Sequence, residues 1–291
     1  SSNIADTDGD EFGIDNELTI TFTNKTDSGL TVTGVYDIDA DTNAVDESFL
    51  EVSGGFGSLS LGKLAAANDA FGIGEHDLID EDLSVQPTGA TIAANSGERN
   101  STENNKLLYV TPTMGGFKAG YSIYDSGSED AGTDQIAMGA EYTMPLAGGS
   151  LMIRYNKASD DGTTTTEKEA QNYGAKLTMG AVTAIASRGE STVGSGAAQT
   201  DDVTADGIGI SYNLGGGMKI SASTMKAEDD KEVDGTQAEE YSANVAEVSY
   251  TVAPGLTAKV TYLDFDYKKG DSGGAQNDSG SMTQFTLSAS F

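Results

Sequence analysis

The sequence predicts an all-β fold, a transmembrane antiparallel β-barrel, from the period of its strands and the rhythm of its connections. Near the end of the chain, Phe285, Leu287, Ala289 and Phe291 alternate with polar residues at a period of two. A strand of this kind has one apolar and one polar face, which suits a wall between lipid and water. The same alternation recurs along most of the 291 residues.

Fifteen segments carry the strand pattern, and 17–24, 149–157 and 206–214 carry it most plainly. The phase is ambiguous in the tenth segment, and a change of phase between Val245 and Val248 indicates a bulge in the thirteenth or a misplaced start of that strand. The predicted strands are 17–24, 30–38, 46–54, 58–63, 105–111, 117–125, 134–144, 149–157, 169–179, 181–188, 206–214, 218–227, 240–252, 256–265 and 281–291.

The predicted connections alternate between short turns and long polar loops. Three of the four prolines, Pro112, Pro145 and Pro254, fall in short turns, where a missing N–H costs no ladder hydrogen bond. Outer-membrane barrels have this layout, whereas the alternative folds, a soluble β-sandwich or β-solenoid, do not explain the rhythm. The predicted long loops are 39–45, 64–104, 126–133, 158–168, 189–205, 228–239 and 266–280.

Aromatic side chains are predicted to form two girdles, because amphipathic rings prefer the two membrane interfaces. The set predicted near the short turns and the chain end is Tyr109, Phe117, Tyr142, Tyr212, Tyr250 and Phe291. The set predicted near the long loops is Tyr36, Tyr155, Tyr173 and Phe265.

Composition excludes several classes of function. With 46 acidic and 16 basic residues the formal net charge is −30, so nucleic-acid binding, which needs clustered Lys and Arg, is not expected. The chain has no cysteine, which removes disulfides and thiolate metal sites. A catalytic triad would have to use the single histidine, His76, in a loop without a nucleophile motif, so we do not expect an enzyme. There is also no apolar run long enough for a transmembrane helix.

The strand count is odd, although single-chain bacterial barrels have even numbers. Residues 1–16 read as an acidic loop that leads into the first predicted strand, so we expect another strand before Ser1 and sixteen in total. The alternative is that 181–188 is over-counted, which would give fourteen. Because Ser1 begins no signal peptide, the sequence is interpreted as a mature or trimmed chain.

Particular stretches also resemble a known family. They are 17–22 (Glu-Leu-Thr-Ile-Thr-Phe), 53–63 (Ser-Gly-Gly-Phe-Gly-Ser-Leu-Ser-Leu-Gly-Lys), 105–112 (Asn-Lys-Leu-Leu-Tyr-Val-Thr-Pro), 116–121 (Gly-Phe-Lys-Ala-Gly-Tyr) and the terminal Phe291. They resemble the general porins of Gram-negative bacteria, especially the alphaproteobacterial type.

The resemblance implies one sixteen-stranded barrel domain over residues 1–291. It implies a homotrimer in the outer membrane, surrounded by lipid and lipopolysaccharide, that passes small hydrophilic solutes. It also implies that the long loop 64–104 folds inward as a constriction. The chain departs from the family by having only three arginines, Arg99, Arg154 and Arg188.

The predicted constriction places acidic residues of this loop opposite basic residues of the barrel wall, which would create a transverse field in the pore. A mouth rich in carboxylates also predicts cation preference. The alternative, for the acidic residues and for the basic residues alike, is that they are simply solvated and have no role in the pore. The acidic set is Glu75, Asp77, Asp80, Glu81 and Asp82. The basic set is Lys63, Lys106, Lys118, Arg154, Lys176, Lys219 and Lys259.

A second candidate site lies near the start. Asp6, Asp8, Asp10 and Glu17 occupy positions one, three, five and twelve of a calcium loop. Position six, normally Gly, is Glu11, and no helix pattern precedes the loop, so an ordinary acidic loop is the alternative. No cofactor is required by this interpretation, and calcium is the one candidate ion.

The sequence is compatible with three candidate functions. The first is a diffusion channel for ions and small hydrophilic solutes. The second is a substrate-selective channel of the same fold, and the third is a calcium-binding structural or adhesive surface protein.

Overall fold

The fold is taken from a computed structural model, which describes residues 13–14, 16–39, 44–79, 92, 97, 104–124, 134–160, 167–234, 237–269 and 277–290. All fifteen predicted strands are present. They form a single sheet in which each strand pairs antiparallel with the next along the chain. The strands are β1 (Glu17–Lys25), β2 (Thr31–Asp39), β3 (Ala44–Gly54), β4 (Gly57–Leu64), β5 (Asn104–Val110), β6 (Phe117–Tyr124), β7 (Gln135–Leu146), β8 (Gly149–Asp160), β9 (Lys168–Met179), β10 (Val182–Val193), β11 (Asp201–Gly215), β12 (Met218–Asp234), β13 (Gln237–Ala253), β14 (Leu256–Lys268) and β15 (Asp278–Ala289).

Short helices interrupt the connections. The helix α1 (Ala67–Ala70) and the 3-10 helix η1 (Glu75–Leu78) follow β4, and the 3-10 helix η2 (Gly196–Ala198) joins β10 to β11. No helix among the described residues combines the length and the apolar character that a membrane crossing needs.

Several strands run further than their sequence pattern indicates, most of them toward the long-loop end. The strand β10 continues to Val193 and β11 begins at Asp201, so the predicted loop 189–205 is much shorter than expected. On β10 the period-two pattern fades because residues 189–192 are small or polar on both faces, while the pairing with β11 continues. Pro145 is also not in the turn; it is the last but one residue of β7, opposite Ser150.

The two faces of the sheet differ as the alternation predicts. On β11, Ile208, Ile210, Tyr212 and Leu214 are exposed, whereas the intervening Ser211 is buried. The exposed set forms the outer, lipid-facing surface, and the buried set faces inward. The aromatic residues Tyr109, Tyr142, Tyr155 and others lie on the outer face as predicted. The aromatic residues of the predicted girdles that are exposed on the outer face are Tyr36, Tyr109, Phe117, Tyr142, Tyr155, Tyr173, Tyr212 and Tyr250.

The outer apolar band ends in a row of ion pairs toward the long loops. Arg188 donates from Nε and Nη2 to the two carboxylate oxygens of Asp206, each at 2.7 Å. Further along, Lys226 and Lys268 both approach Glu240, at 3.7 and 2.9 Å. Asp206 lies directly opposite Lys226 in the register, so charges alternate across β10 to β14. Charged groups at this height mark where lipid tails give way to headgroups.

The inner face holds an apolar cluster that the sequence does not predict. It includes Ile92 of the long loop together with Leu263, Tyr241 and Tyr267, and Val245 and Phe265 pack against it. Two expectations are therefore wrong. Phe265 stacks on Tyr241 inside, with ring centroids 6.4 Å apart, instead of joining the outer girdle. Val245 also faces inward, and the register is continuous from Val245 to Val248, so no bulge is needed there.

The strands β1 and β15 are the two edges of the sheet in the described part of the chain, and no ladder joins them. The fifteen observed strands include the full-length β10, so the alternative count of fourteen is wrong. The sixteenth strand stays a prediction.

Replacing Ile210 by Lys tests the assignment of faces. Ile210 is 52% exposed on the outer face. Lysine in lipid should lower the free energy of unfolding by about 2–4 kcal/mol at mid-membrane depth. Thermal unfolding of the protein in lipid vesicles measures the change. The matched control is Ser223→Lys on the inward phase of neighbouring β12, which should cost far less. Equal losses in both variants would contradict the assignment.

Candidate functional site

The chain between β4 and β5 returns across the inner face of the sheet. We call residues 65–79 the inward segment; it contains α1 and η1. The helix α1 packs against β6, β7 and β8, and η1 packs against β10, β11 and β12. The inward segment therefore crosses about half of the inner wall, as the family resemblance implies for the start of the loop 64–104.

A track of glycines on the wall makes room for the inward segment. A Cβ at Gly120 of β6 would lie 2.5 Å from Phe71 Cε2, and a Cβ at Gly139 of β7 would overlap the same side chain. Further along, a Cβ at Gly209 of β11 would lie 2.8 Å from the backbone oxygen of Glu75. Real Cβ atoms do not approach this closely, so these positions need glycine for steric reasons.

Polar wall residues bind the backbone of the inward segment. Asn172 accepts a hydrogen bond from Ile73 N at 3.0 Å and donates to Ile73 O at 2.8 Å. Asn156 donates to Phe71 O at 3.1 Å and to the Asn172 side-chain oxygen at 3.1 Å. Because both amides are fully buried, these contacts are protected from competition with water.

Arg154 completes this contact from β8. Its Nη1 donates to the carbonyl of Gly72 at 2.7 Å. Its Nε and Nη2 contact Glu141 Oε2 at 2.9 and 2.8 Å. The guanidinium is thus shared between a wall carboxylate and the inward segment, and its planar fork suits this double use.

Further contacts secure the two ends of the segment. Ala67 N donates to Ser122 Oγ at 2.9 Å, and Lys219 Nζ lies 3.4 Å from Leu78 O. Lys118 Nζ lies 5.2 Å from the ring centroid of Phe71, within range of a cation–π interaction.

Burial of Asp69 on α1 raises the pKa of its carboxyl, and Lys106 on the wall partly offsets the rise. The ionised form is thus disfavoured in the folded state. This group contributes stability at low pH that is lost as pH rises through its pKa.

The whole chain fits one family description. A family model of Gram-negative porins matches residues 1–290. The chain belongs to the Gram-negative porin family. It is accordingly an outer-membrane protein, and the family is one of outer-membrane diffusion channels. The family resemblance drawn from the sequence is confirmed.

Solved structures share the fold of this porin at low identity. An anion-selective porin from Comamonas acidovorans has 13% identity and a TM-score of 0.65, with 94% of this chain and 87% of that chain covered. The outer-membrane OmpT of Vibrio cholerae has 13% identity and a TM-score of 0.64, covering 93% and 89%. The channel DcaP of Acinetobacter baumannii has 13% identity and a TM-score of 0.59, covering 94% and 84%. No curated protein matches the sequence.

The structure places two of the five predicted acids of the porin loop, both on η1. Glu75 is only 3% exposed. The side chain of Asp77 is 31% exposed; it accepts a hydrogen bond from Gly74 N at 3.3 Å and lies 3.7 Å from His76 Nε2. Asp80, Glu81 and Asp82 lie outside the described residues. Of these two acids, Asp77 is the one that water reaches.

Six of the seven predicted bases share the inward phase of their strands, as expected. Lys63 is the exception: it follows the phase of exposed Leu59 and Leu61, and its Nζ donates to Val45 O at 2.5 Å. Its placement on the inner wall is corrected, because Lys63 has the opposite parity from buried Ser60. The bases on the inward phase are Lys106, Lys118, Arg154, Lys176, Lys219 and Lys259.

Three of these bases do not face the loop acids across the pore, as the predicted constriction would require. Arg154, Lys118 and Lys219 contact the inward segment itself, so they lie behind it rather than across the pore from it. Lys106 is buried, and its charge acts on Asp69.

The calcium loop stays a prediction. Asp6, Asp8 and Asp10 lie outside the described residues, and Glu17 is the exposed first residue of β1. The described residues contain no cluster of acids and histidines suited to a metal ion.

Sequence reasoning missed the glycine track and the two wall asparagines. Each of these residues lies at an inward position of a predicted strand, so the strand phase could have placed it on the inner wall. Period-two patterns assign a face, but they do not say what that face contacts.

Substituting Gly139 by Ala tests the glycine track. The added methyl group overlaps Phe71, so displacement of the inward segment should cost about 1–3 kcal/mol. Single-channel conductance should change, while far-UV circular dichroism stays that of the barrel. Gly34→Ala is the control, since a Cβ there meets no atom within 4 Å. Unchanged conductance in Gly139→Ala would contradict the packing described.

Substituting Asn172 by Ala tests the polar anchor. Two backbone groups of Ile73 lose their partner, at about 1–3 kcal/mol for each group left buried. Hydrogen exchange of residues 67–79 should accelerate at least tenfold. Asn213→Ala is the control, because its amide accepts only the exposed turn contact from Gly215 N at 2.9 Å. Equal exchange in both variants would refute the anchoring role.

Proposed function

We propose that this porin is a diffusion channel for ions and small hydrophilic solutes that prefers cations. The observation that carries the proposal is the uneven covering of the inner wall. The described inward segment lies on β6 to β12, while the inward positions of β1 and β2 stay open or half buried. These positions are mostly threonines, namely Thr19, Thr21, Thr23, Thr31 and Thr33. A hydroxyl-lined passage beside an anchored segment suits hydrated solutes.

The charge of the passage supports preference for cations. Glu47 and Glu51 of β3 border the threonine-lined wall, and Asp77 projects from the inward segment. The chain as a whole carries a formal net charge of −30. Excess carboxylate in and above a pore raises the local concentration of cations. The Comamonas porin is described as anion-selective, and selectivity depends on side chains that are not shared at 13% identity.

We also propose an oligomeric state for this porin and a contact with the lipid headgroups around it. One OmpT structure is described as a trimer, and we expect this porin to form homotrimers too. The row of ion pairs through Arg188, Asp206, Lys226 and Glu240 sits above the apolar band. At that height it would meet the headgroups of outer-membrane lipid and lipopolysaccharide.

Ion conduction and selectivity are tested together in planar bilayers under a KCl gradient. We expect stepwise conductance and a reversal potential of the sign for cation selectivity. The selectivity should weaken as salt rises, because the Debye length shrinks from about 10 Å at 0.1 M to about 3 Å at 1 M. No conductance from folded protein would reject the channel. Saturable block by a single solute would favour the substrate-selective alternative.

Neutralising Asp77 tests the contribution of the inward segment. One exposed charge at 4 Å is worth about 1 kcal/mol in water, so Asp77→Asn should lower the K⁺/Cl⁻ permeability ratio by at most about fivefold. Asparagine can still accept the hydrogen bond from Gly74 N. Glu169→Gln removes an equal charge from the outer face and should leave the ratio unchanged. A drop of the same size in both variants would show that Asp77 has no local role.

A further inference from the structure

The apolar cluster on the inner wall has no role in the diffusion of hydrophilic solutes. The inner face of an aqueous pore is normally polar, yet near the long loops this wall carries Val203, Met225 and Leu263. Apolar surface of this kind is costly to leave in water, so it needs a cover. Among the described residues of the loop 64–104, Ile92 is the one that packs on the cluster, and it is 1% exposed.

The strand register gives this region a small side and an aromatic side. One inward row runs across β10 to β14, from Gly189 through Ala205, Ala227 and Tyr241 to Tyr267. The first three residues carry at most a methyl group, whereas the last two carry phenol rings. The row is therefore recessed over β10 to β12 and raised over β13 and β14, and the step between them can receive a flat ring. We call the step formed by Ala205, Ala227 and Tyr241 the apolar recess.

Tyr241 brings one unsatisfied polar group to the recess. Its side chain is 1% exposed, and its ring stacks on Phe265. The hydroxyl is buried and has no hydrogen-bond partner among the described residues. The neighbouring Tyr267 differs, because its hydroxyl donates to Glu239 Oε1 at 2.5 Å. Buried hydroxyls normally have a partner, and the hydrocarbon side chain of Ile92 cannot provide one. The recess therefore suits an occupant that is mostly apolar and carries one hydrogen-bond acceptor.

The surroundings of the recess favour an uncharged occupant. The next inward row toward the long loops pairs Asp229 with Glu239, and both are fully buried. Asp229 Oδ1 accepts hydrogen bonds from Asp202 N at 3.0 Å and Lys231 N at 2.9 Å. These carboxylates disfavour an anion. A cation would lose its hydration among apolar side chains, which is also costly.

We propose that the apolar recess is a binding site for uncharged aromatic solutes that carry a carbonyl or ether oxygen, and that Ile92 occupies it when no such solute is bound. The ring of the solute replaces the side chain of Ile92 against Ala205 and Ala227, and its oxygen accepts a hydrogen bond from the Tyr241 hydroxyl. The site adds a second class of solute to the pore. It goes beyond the proposed diffusion of hydrophilic solutes and rests on that function only for access to the lumen.

Exposure of a thiol in place of Ile92 tests the recess in protein folded into lipid vesicles. Because the chain has no cysteine, Ile92→Cys supplies a single thiol at a buried position. Acetophenone, a soluble aromatic ketone, should displace this residue and accelerate its reaction with a water-soluble maleimide along a saturable curve. The half-saturating concentration should be at least tenfold higher for 2-butanone, which has the carbonyl without the ring.

Removing the hydroxyl alone separates a bound solute from a merely structural cluster. In Ile92→Cys/Tyr241→Phe the half-saturating concentration of acetophenone should rise about three- to tenfold, the net effect of one hydrogen bond. Thermal unfolding should occur at no lower temperature, because this hydroxyl has no partner to lose. The matched control is Ile92→Cys/Tyr262→Phe, which removes a phenol hydroxyl from the outer face, where Tyr262 is 45% exposed, and should leave the curve unchanged.

A thiol elsewhere on the inner wall reports general effects of the ketone on the membrane. Ser53→Cys on the inward phase of β3 should react at a rate that acetophenone does not change. A rate at Ile92→Cys that ignores acetophenone, a rise shared with Ser53→Cys, or a curve unaffected by Tyr241→Phe would overturn the site. Rapid labelling of Ile92→Cys without solute would overturn it too. Absence of KCl conductance from protein that shows the acetophenone response would reject the channel and leave the recess supported.

Discussion

The contact between three wall side chains and three successive backbone groups fixes the interior of this protein. Arg154, Asn156 and Asn172 bind the main chain at Gly72, Phe71 and Ile73. An irregular segment that crosses a sheet has no ladder to satisfy its N–H and C=O groups, so the wall must supply partners. Glycine is needed beside Phe71 and Glu75 because these hydrogen bonds hold the inward segment so close to the wall that a Cβ atom would not fit. The open part of the pore is what this contact leaves uncovered.

The same sheet separates three environments by face and by height. Outward residues are apolar over the middle of the wall and become ion pairs near Arg188 and Lys226. Inward residues near the long loops form the apolar cluster around Ile92 and Leu263, while those near the short turns include lysines. A period of two fixes which face a residue takes, and its distance from a turn fixes the height. Both quantities together decide whether a lysine meets lipid headgroups, the inward segment or the aqueous mouth.

Much of the fold could be predicted because period-two alternation is a local signal. Even the weak stretch 181–188 lies, from Val182 on, in a full strand, since β9 and β11 both pair with it. Errors arose where the inner face is not polar. Phe265 was assigned to the outer girdle because apolar residues were taken to face lipid, yet it packs on the inner cluster. Lys63 was placed inside although its strand phase follows Leu61.

The sequence by itself determined the strands, their faces, the short turns and the segregation of charge toward the long loops. These depend on neighbours along the chain, and alternation and turn residues record them directly. Only the tertiary structure decided that Asn156 and Asn172 bind the inward segment, that Gly120 and Gly139 face Phe71, and that Arg154 lies behind the segment. The hydrogen-bonded pairs are 82 to 99 positions apart, and Gly120 and Gly139 are 49 and 68 positions from Phe71. No local pattern encodes such a pairing, because it is the crossing of the inner face by the inward segment that brings the two residues together.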